Sequence, residues 1–169
     1  MTDRRDLIVG SALAASALFV GGSAALLSRP SSAGAAASGD FEVDLDSDEW
    51  ARRLTDAEFA VLRREETEEP FSSPLDALYE PGMYHCAGCG NRVYSSEHKF
   101  DSGTGWPSFW RAISPQAIGT RIDHPLIFPL TEVHCARCGG HFGHIFEDGP
   151  EPSGERHCLN GIALEFRAA

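Results

Sequence analysis

The chain has 169 residues, 42% of them apolar, and a formal charge of −11, with Lys and Arg outnumbered 14 to 25 by Asp and Glu. This length and apolar content suit one core of ordinary size rather than two. The charge argues against a nucleic-acid binder, because phosphate binding draws on clustered Lys and Arg.

Residues 1–37 do not read as part of that core. Arg4-Arg5 precede a soft apolar run, Val9 to Leu27, which is diluted by glycine and serine. Arg29-Pro30 breaks the run and Ala35-Ala36-Ala37 offers a cleavage site, so the segment resembles a twin-arginine export signal. The alternative is an uncleaved anchor, since roughly 20 apolar residues span a bilayer. The Gly, Ser and Ala content favours the signal. The expectation is therefore an exported, periplasmic or otherwise extracytoplasmic protein, with no stable membrane contact once the signal is removed. Export by this route carries folded proteins, which suits a chain that loads a metal before it leaves the cytoplasm.

Residues 38–53 are acidic, with few apolar groups besides Phe41, Val43, Leu45 and Trp50, and read as a loosely packed arm. The domain proper is expected over 54–169. Thr55-Asp56-Ala57-Glu58 has the form of a capping box, and Leu54, Ala57 and Val61 follow at helical spacing. That pattern predicts a helix from Asp56 to Glu66, ended before Pro70. From Tyr84 onward come short apolar segments cut by Gly, Pro and Asn: 91–94, 121–128, 131–134, 141–146 and 161–166. Ile162 to Phe166 alternates as a half-buried strand does. The fold class is mainly β, with one or two helices at the front.

Cys86-Ala87-Gly88-Cys89-Gly90 and Cys135-Ala136-Arg137-Cys138-Gly139 are two knuckles whose glycine-ended turns can aim four thiolates at one tetrahedral zinc ion. Two redox dithiols, or two disulfides in an oxidising compartment, are the alternatives. Cys135, Cys138, His141 and His144 also have metal-ligand spacing, but that set leaves Cys86 and Cys89 idle. Cys158 is then the odd one out. A lone cysteine is more often a buried apolar residue than a nucleophile. Arg156 and Asn160 beside it shift the balance toward catalysis, since a neighbouring cation favours thiolate. Glu147 and Asp148 read as a turn.

These motifs, together with Gly105-Trp106-Pro107-Ser108-Phe109, His141-Phe142-Gly143-His144-Ile145-Phe146 and Arg156-His157-Cys158-Leu159-Asn160, resemble the B-type peptide methionine sulfoxide reductases from about Leu54 to Phe166. The resemblance implies a small domain of two antiparallel sheets, a structural zinc away from the active site and selectivity for the R epimer. It implies that Cys158 is the nucleophile and that His141, His144 and Asn160 are polar active-site residues. Arg156 would lie near the thiolate, Trp106 would form the wall for the substrate methyl group, and Phe109 would join it as a substrate contact. A sulfoxide sulfur is a poor electrophile until its oxygen is protonated, so the nucleophile needs an acid. His144 is the choice for that acid, with His141 and Asn160 orienting the oxygen or a bridging water.

Many relatives carry a resolving cysteine where this chain has Thr104. With four cysteines on zinc, Cys158 has no intramolecular partner, and a one-cysteine cycle completed by an external thiol, such as a thioredoxin-like protein, is expected. The partners are then oxidised methionine in peptides or proteins and that reductant, with a monomeric enzyme. Two other readings compete. A zinc-ribbon interaction module would leave Cys158 inert, and a thiol peroxidase would not explain an apolar tryptophan beside two histidines.

Overall fold

The computed structural model describes residues 41–124 and 129–169. The export-type segment and the start of the acidic arm lie outside these residues, as does the end of the strand expected over 121–128. Among the described residues no helix is long and apolar enough to cross a membrane.

The acidic segment is not the loose arm its composition suggested. Asp46 caps α1 (Ser47–Arg53), its carboxylate accepting from the Glu49 N–H at 2.7 Å. Trp50 is only 2% exposed, and Val43 N–H donates to the Arg137 carbonyl at 3.0 Å. The few apolar residues of this segment all meet the body of the domain, while Glu42, Asp44, Asp46 and Asp48 stay exposed to solvent. Thr55 then starts α2 (Asp56–Arg64) with the expected capping box. Its side chain accepts from the Glu58 N–H at 3.2 Å, and the Glu58 carboxylate accepts from the Thr55 N–H at 2.8 Å. The helix stops two residues before the expected end, because Glu65 turns left-handed at φ 60°.

The strands are β1 (Gly82–Cys86), β2 (Arg92–Ser95), β3 (Lys99–Phe100), β4 (Ser108–Phe109), β5 (Ile118–Asp123), β6 (Leu130–Cys135), β7 (His141–Phe146), β8 (Arg156–Leu159) and β9 (Leu164–Ala168). They form one sheet in the order β2-β1-β9 and another in the order β3-β4-β8-β7-β6-β5, antiparallel at every pairing. This is the mainly β, two-sheet domain that was expected. One difference lies at 161–163, read as strand, which forms a 3-10 turn ahead of β9. The Gly161 and Ile162 N–H groups donate to the Glu68 carboxylate there, not to a strand neighbour.

The register of β8 positions the site. Cys158 pairs with Ser108 of β4 on one side and with His144 of β7 on the other. Because side chains alternate along a strand, His157 and Phe109 face the opposite side from Cys158 and Ser108. There Phe109 packs against Tyr94 and Tyr84, at centroid distances of 4.7 and 4.9 Å.

Candidate active site

The four cysteines of the knuckles come together, with every pair of sulfurs within 4.8 Å. Cys86 and Cys138 are 3.7 Å apart and Cys89 and Cys135 are 3.6 Å apart. Those separations are too long for disulfides, which need about 2.05 Å. They match the sulfur spacing of about 3.8 Å that a tetrahedron with bonds of about 2.3 Å requires. The donor set therefore fits one closed tetrathiolate metal site. His141 and His144 take no part in it: one ring nitrogen of each is held elsewhere, by Glu132 and Asp123 respectively.

Cys158 stands apart, half-buried in a pocket of about 150 Å³ that Trp106, His144, Phe146, Asn160 and Thr67 help to line. None of the four clustered cysteines lines it. Gly143 makes the close approach of β7 to β8 attainable, since its φ is 154° and a Cβ there would fall 2.1 Å from the Cys158 carbonyl oxygen. Thr104 Oγ1 lies 3.9 Å from Cys158 Sγ. Burial pushes the Cys158 thiol above its ordinary value, and the Thr104 hydroxyl, the Arg156 guanidinium and the Ser108 hydroxyl pull back against it without overcoming it. Arg156 is itself held in place, donating to both Asp148 oxygens at 2.8 and 2.9 Å while lying 4.4 Å over the Phe146 ring. Asp148, read as part of a turn, thus fixes the Arg156 side chain.

The two histidines share a face although they are three residues apart. A register shift between Val133 and His134 sets His134 against His141 and Val133 against Gly143, so one extra residue on β7 restores the phase. Their ring centroids are 5.5 Å apart. His144 reaches the pocket, and its Nε2 meets Asp123 Oδ2 at 3.1 Å. His141, expected at the substrate oxygen, sits behind it at 2% exposure, with Nδ1 on Glu132 at 2.8 Å and Nε2 buried without a partner. Glu132 is wholly buried. Burial raises its carboxyl pKa, but hydrogen bonds from His134 and His141 and the charges of His141 and Arg121 outweigh that and bring it to about 2.

Trp106 and Asn160 form two further sides. Asn160 is 3% exposed, donating through Nδ2 to the Phe142 carbonyl at 3.0 Å and accepting at Oδ1 from the Glu68 N–H at 2.9 Å. Trp106 Nε1 donates to the Glu68 carbonyl at 3.1 Å. Phe109, expected with Trp106 as a substrate contact, is 0% exposed and belongs to the core instead. It follows Ser108 on β4, and strand alternation turns it away from the pocket. The sequence reading missed Thr67, Glu68, Asp123, Glu132 and Phe146. Glu132-Val133-His134 carried a usable signal, since a carboxylate and an imidazole two apart in a strand share a face. Glu68 carried none, hidden among Glu65, Glu66 and Glu69.

Fold and site define a mainly β domain that gathers four thiols in a metal-type cluster and sets a fifth alone in a pocket. The model of the SelR domain matches residues 54–168. Among curated proteins, the peptide methionine sulfoxide reductase MsrB of Methanosarcina barkeri is 46% identical over 125 residues, 74% of this chain and 88% of that one. Proteins of the same name from Thioalkalivibrio sulfidiphilus (48% identical, 69% of this chain, 85% of that one) and Leifsonia xyli (42%, 78% and 96%) are similar. The chain belongs to this family.

The two kinds of thiol should separate in solution. With the cluster metal-bound, one thiol per chain should alkylate under native conditions, and all five after unfolding with a chelator. Because thiolate is the reacting form, the Cys158 alkylation rate should keep rising with pH beyond the ordinary thiol value of 9.0. A rate that levels off near neutral pH would contradict the raised thiol.

Proposed function

We propose that this protein reduces the R epimer of methionine sulfoxide in peptides and proteins, with Cys158 as nucleophile and an external thiol as final electron donor. The observation that carries the reading is the lone Cys158 thiol beside both an apolar wall, Trp106, and an imidazole, His144, in one pocket. At about 150 Å³ the pocket resembles in size an engineered cavity that holds benzene, so it suits the end of one methionine side chain.

The substrate S-methyl group rests on Trp106, and the sulfoxide oxygen lies toward His144 and Asn160. His144 supplies the proton to that oxygen while one of its ring nitrogens is held by Asp123. His141 acts through His144 and does not touch the substrate. Cys158 gives up its proton, which replaces the one His144 delivered, and its sulfur attacks the sulfoxide sulfur; the S–S bond so formed and the substrate S–O bond then break as the hydroxyl passes to the Cys158 sulfur and methionine leaves. Methionine sulfur is thereby reduced by two electrons and Cys158 oxidised by two, to the sulfenic acid. Arg156 stabilises the attacking thiolate. One external thiol then displaces water from the sulfenic acid to give a mixed disulfide, and a second releases Cys158 and leaves as the disulfide. Thr104 stands where a resolving cysteine would close the cycle internally, so the chain works with one catalytic cysteine. A zinc ion on Cys86, Cys89, Cys135 and Cys138 would be structural, because four protein ligands leave no open position. The twin arginine and the soft apolar run favour export.

Turnover of the separate epimers of a methionine sulfoxide peptide, with dithiothreitol, tests the reading. The R epimer alone should be consumed and Cys158→Ser should abolish it; consumption of peroxide but of neither epimer would favour a thiol peroxidase instead. Thr104→Cys should give a Cys158 disulfide after one turnover, seen by mass spectrometry, whereas the parent should give only the sulfenic acid. No disulfide in the variant would count against Thr104 at the resolving position. Replacing Arg4 and Arg5 with lysine should leave the protein in the cytoplasmic fraction of a twin-arginine-competent bacterium. Unchanged export would sink the export reading.

A further inference from the structure

We propose that Glu68 is a positioning residue that fixes both the apolar wall and the amide of the pocket, an inference that rests on the sulfoxide reductase reading. Glu68 belongs to the strap that leaves α2 and crosses to β1 without helix or strand. Its immediate neighbours Thr67 and Glu69 are exposed, while Glu68 itself is partly buried. Each of its polar groups is committed. Oε1 accepts from the Gly161 N–H at 2.6 Å and Oε2 from the Ile162 N–H at 3.0 Å. The backbone N–H donates to Asn160 Oδ1 at 2.9 Å, and the carbonyl accepts from Trp106 Nε1 at 3.1 Å.

The consequence for Asn160 is directional. One Nδ2 hydrogen goes to the Phe142 carbonyl and Oδ1 meets the Glu68 N–H, so the two ends of the amide face partners of opposite kind. Turning the amide over would set donor against donor and acceptor against acceptor, each a lost buried hydrogen bond. The amide is therefore held one way round, with one Nδ2 hydrogen left to serve the substrate. The carboxylate fixes the strap from the other side, since hydrogen bonds to a charged acceptor are about twice as strong as neutral ones. It grips the residues that follow Asn160, and the turn is packed so closely on the strap that a Cβ at Gly161 would lie 2.0 Å from Ser73 Oγ. The indole of Trp106 hangs from the same residue. A merely structural carboxylate would stabilise the turn without touching either pocket wall through its own backbone.

The test uses the full zinc-loaded chain labelled with fluorotryptophan, as wild type, Glu68→Ala and Glu68→Gln, with Trp106→Phe to assign the Trp106 resonance. Glu68→Ala should lower kcat/KM for the R-sulfoxide peptide roughly ten- to a hundred-fold, as misplaced binding groups do, with KM raised. Glu68→Gln, which keeps one acceptor, should fall between. In both, Cys158 alkylation should match the wild type, and only the Trp106 fluorine signal should shift and broaden while those of Trp50 and Trp110 stay. Unchanged turnover or an unmoved Trp106 signal would overturn the proposal. So would a parallel loss of alkylation and a shift of all three signals in Glu68→Gln, which would mark a structural role only. If Glu68→Ala does not fold, Glu68→Gln decides alone. A wild type that turns over neither epimer would defeat the sulfoxide reading, while the Trp106 signal would still judge the hold that Glu68 has on the pocket.

Discussion

The four-thiol cluster is the joint from which the strand registers start. Cys86 is the last residue of β1 in the smaller sheet and Cys135 the last of β6 in the larger, so the cluster spans the two sheets. Each knuckle closes in the same way, with the glycine after it in the left-handed region, Gly90 at φ 72° and Gly139 at φ 67°. The N–H of each returns to the carbonyl of the first cysteine, at 2.8 and 2.9 Å. β2 and β7 begin immediately beyond these turns. The front helices pack on the same place: a Cβ on Gly88 would touch Trp50 and Leu62, and one on Gly140 would press on Leu62 at 3.0 Å. A metal at such a joint would add its constraint to that of the apolar core.

From that joint β7 carries its histidines toward β8, and the pocket is where strand register meets buried polar chemistry. Gly143 lets the strands close, and the extra residue in β7 brings His141 and His144 to one side. Behind them lies Glu132, a fully buried carboxylate that would be costly without partners. It is met by Arg121 from β5, by His134 on its own strand and by His141 from β7. The network crosses three neighbouring strands, so the orientation of His141 is set by the sheet and not by a loop. The opposite wall is set by the strap. The pocket thus lies between a rigid sheet and a segment whose hold on it runs through a few hydrogen bonds.

Motifs whose chemistry depends on local spacing were legible in the sequence. Two cysteines three apart, a threonine three before a glutamate, and a solitary cysteine flanked by cation and amide each state their local geometry. The alternation that marked the strands was also enough for a mainly β fold. What failed were inferences that needed the third dimension. The acidic segment hid Trp50, one residue whose burial outweighs its company. Phe109 stood next to the site in sequence but on the far face of its strand. Glu68 sits in a run of acids that spacing alone does not tell apart, and only the folded chain distinguishes the one whose carboxylate finds two N–H groups 93 and 94 residues away.

The raised thiol of Cys158 bears on the proposed reaction in a way that a resting thiolate would not. Desolvation disfavours the thiolate, which is the form that attacks peroxide and other indiscriminate oxidants, so the raised thiol works against such side reactions. A sulfoxide asks for something different: its sulfur becomes electrophilic as its oxygen takes a proton, and the same event calls for a thiolate beside it. In the proposed reaction, proton delivery at His144 and proton loss at Cys158 would be two halves of one requirement, met when substrate brings its oxygen between them. Desolvation also has a second effect. Once substrate fills the pocket, the electrostatic pull of Arg156 on the developing thiolate acts through less water and grows stronger. On the proposed reading, the same burial that suppresses the free thiol would strengthen its interaction with Arg156, and so tie reactivity to occupancy of the pocket.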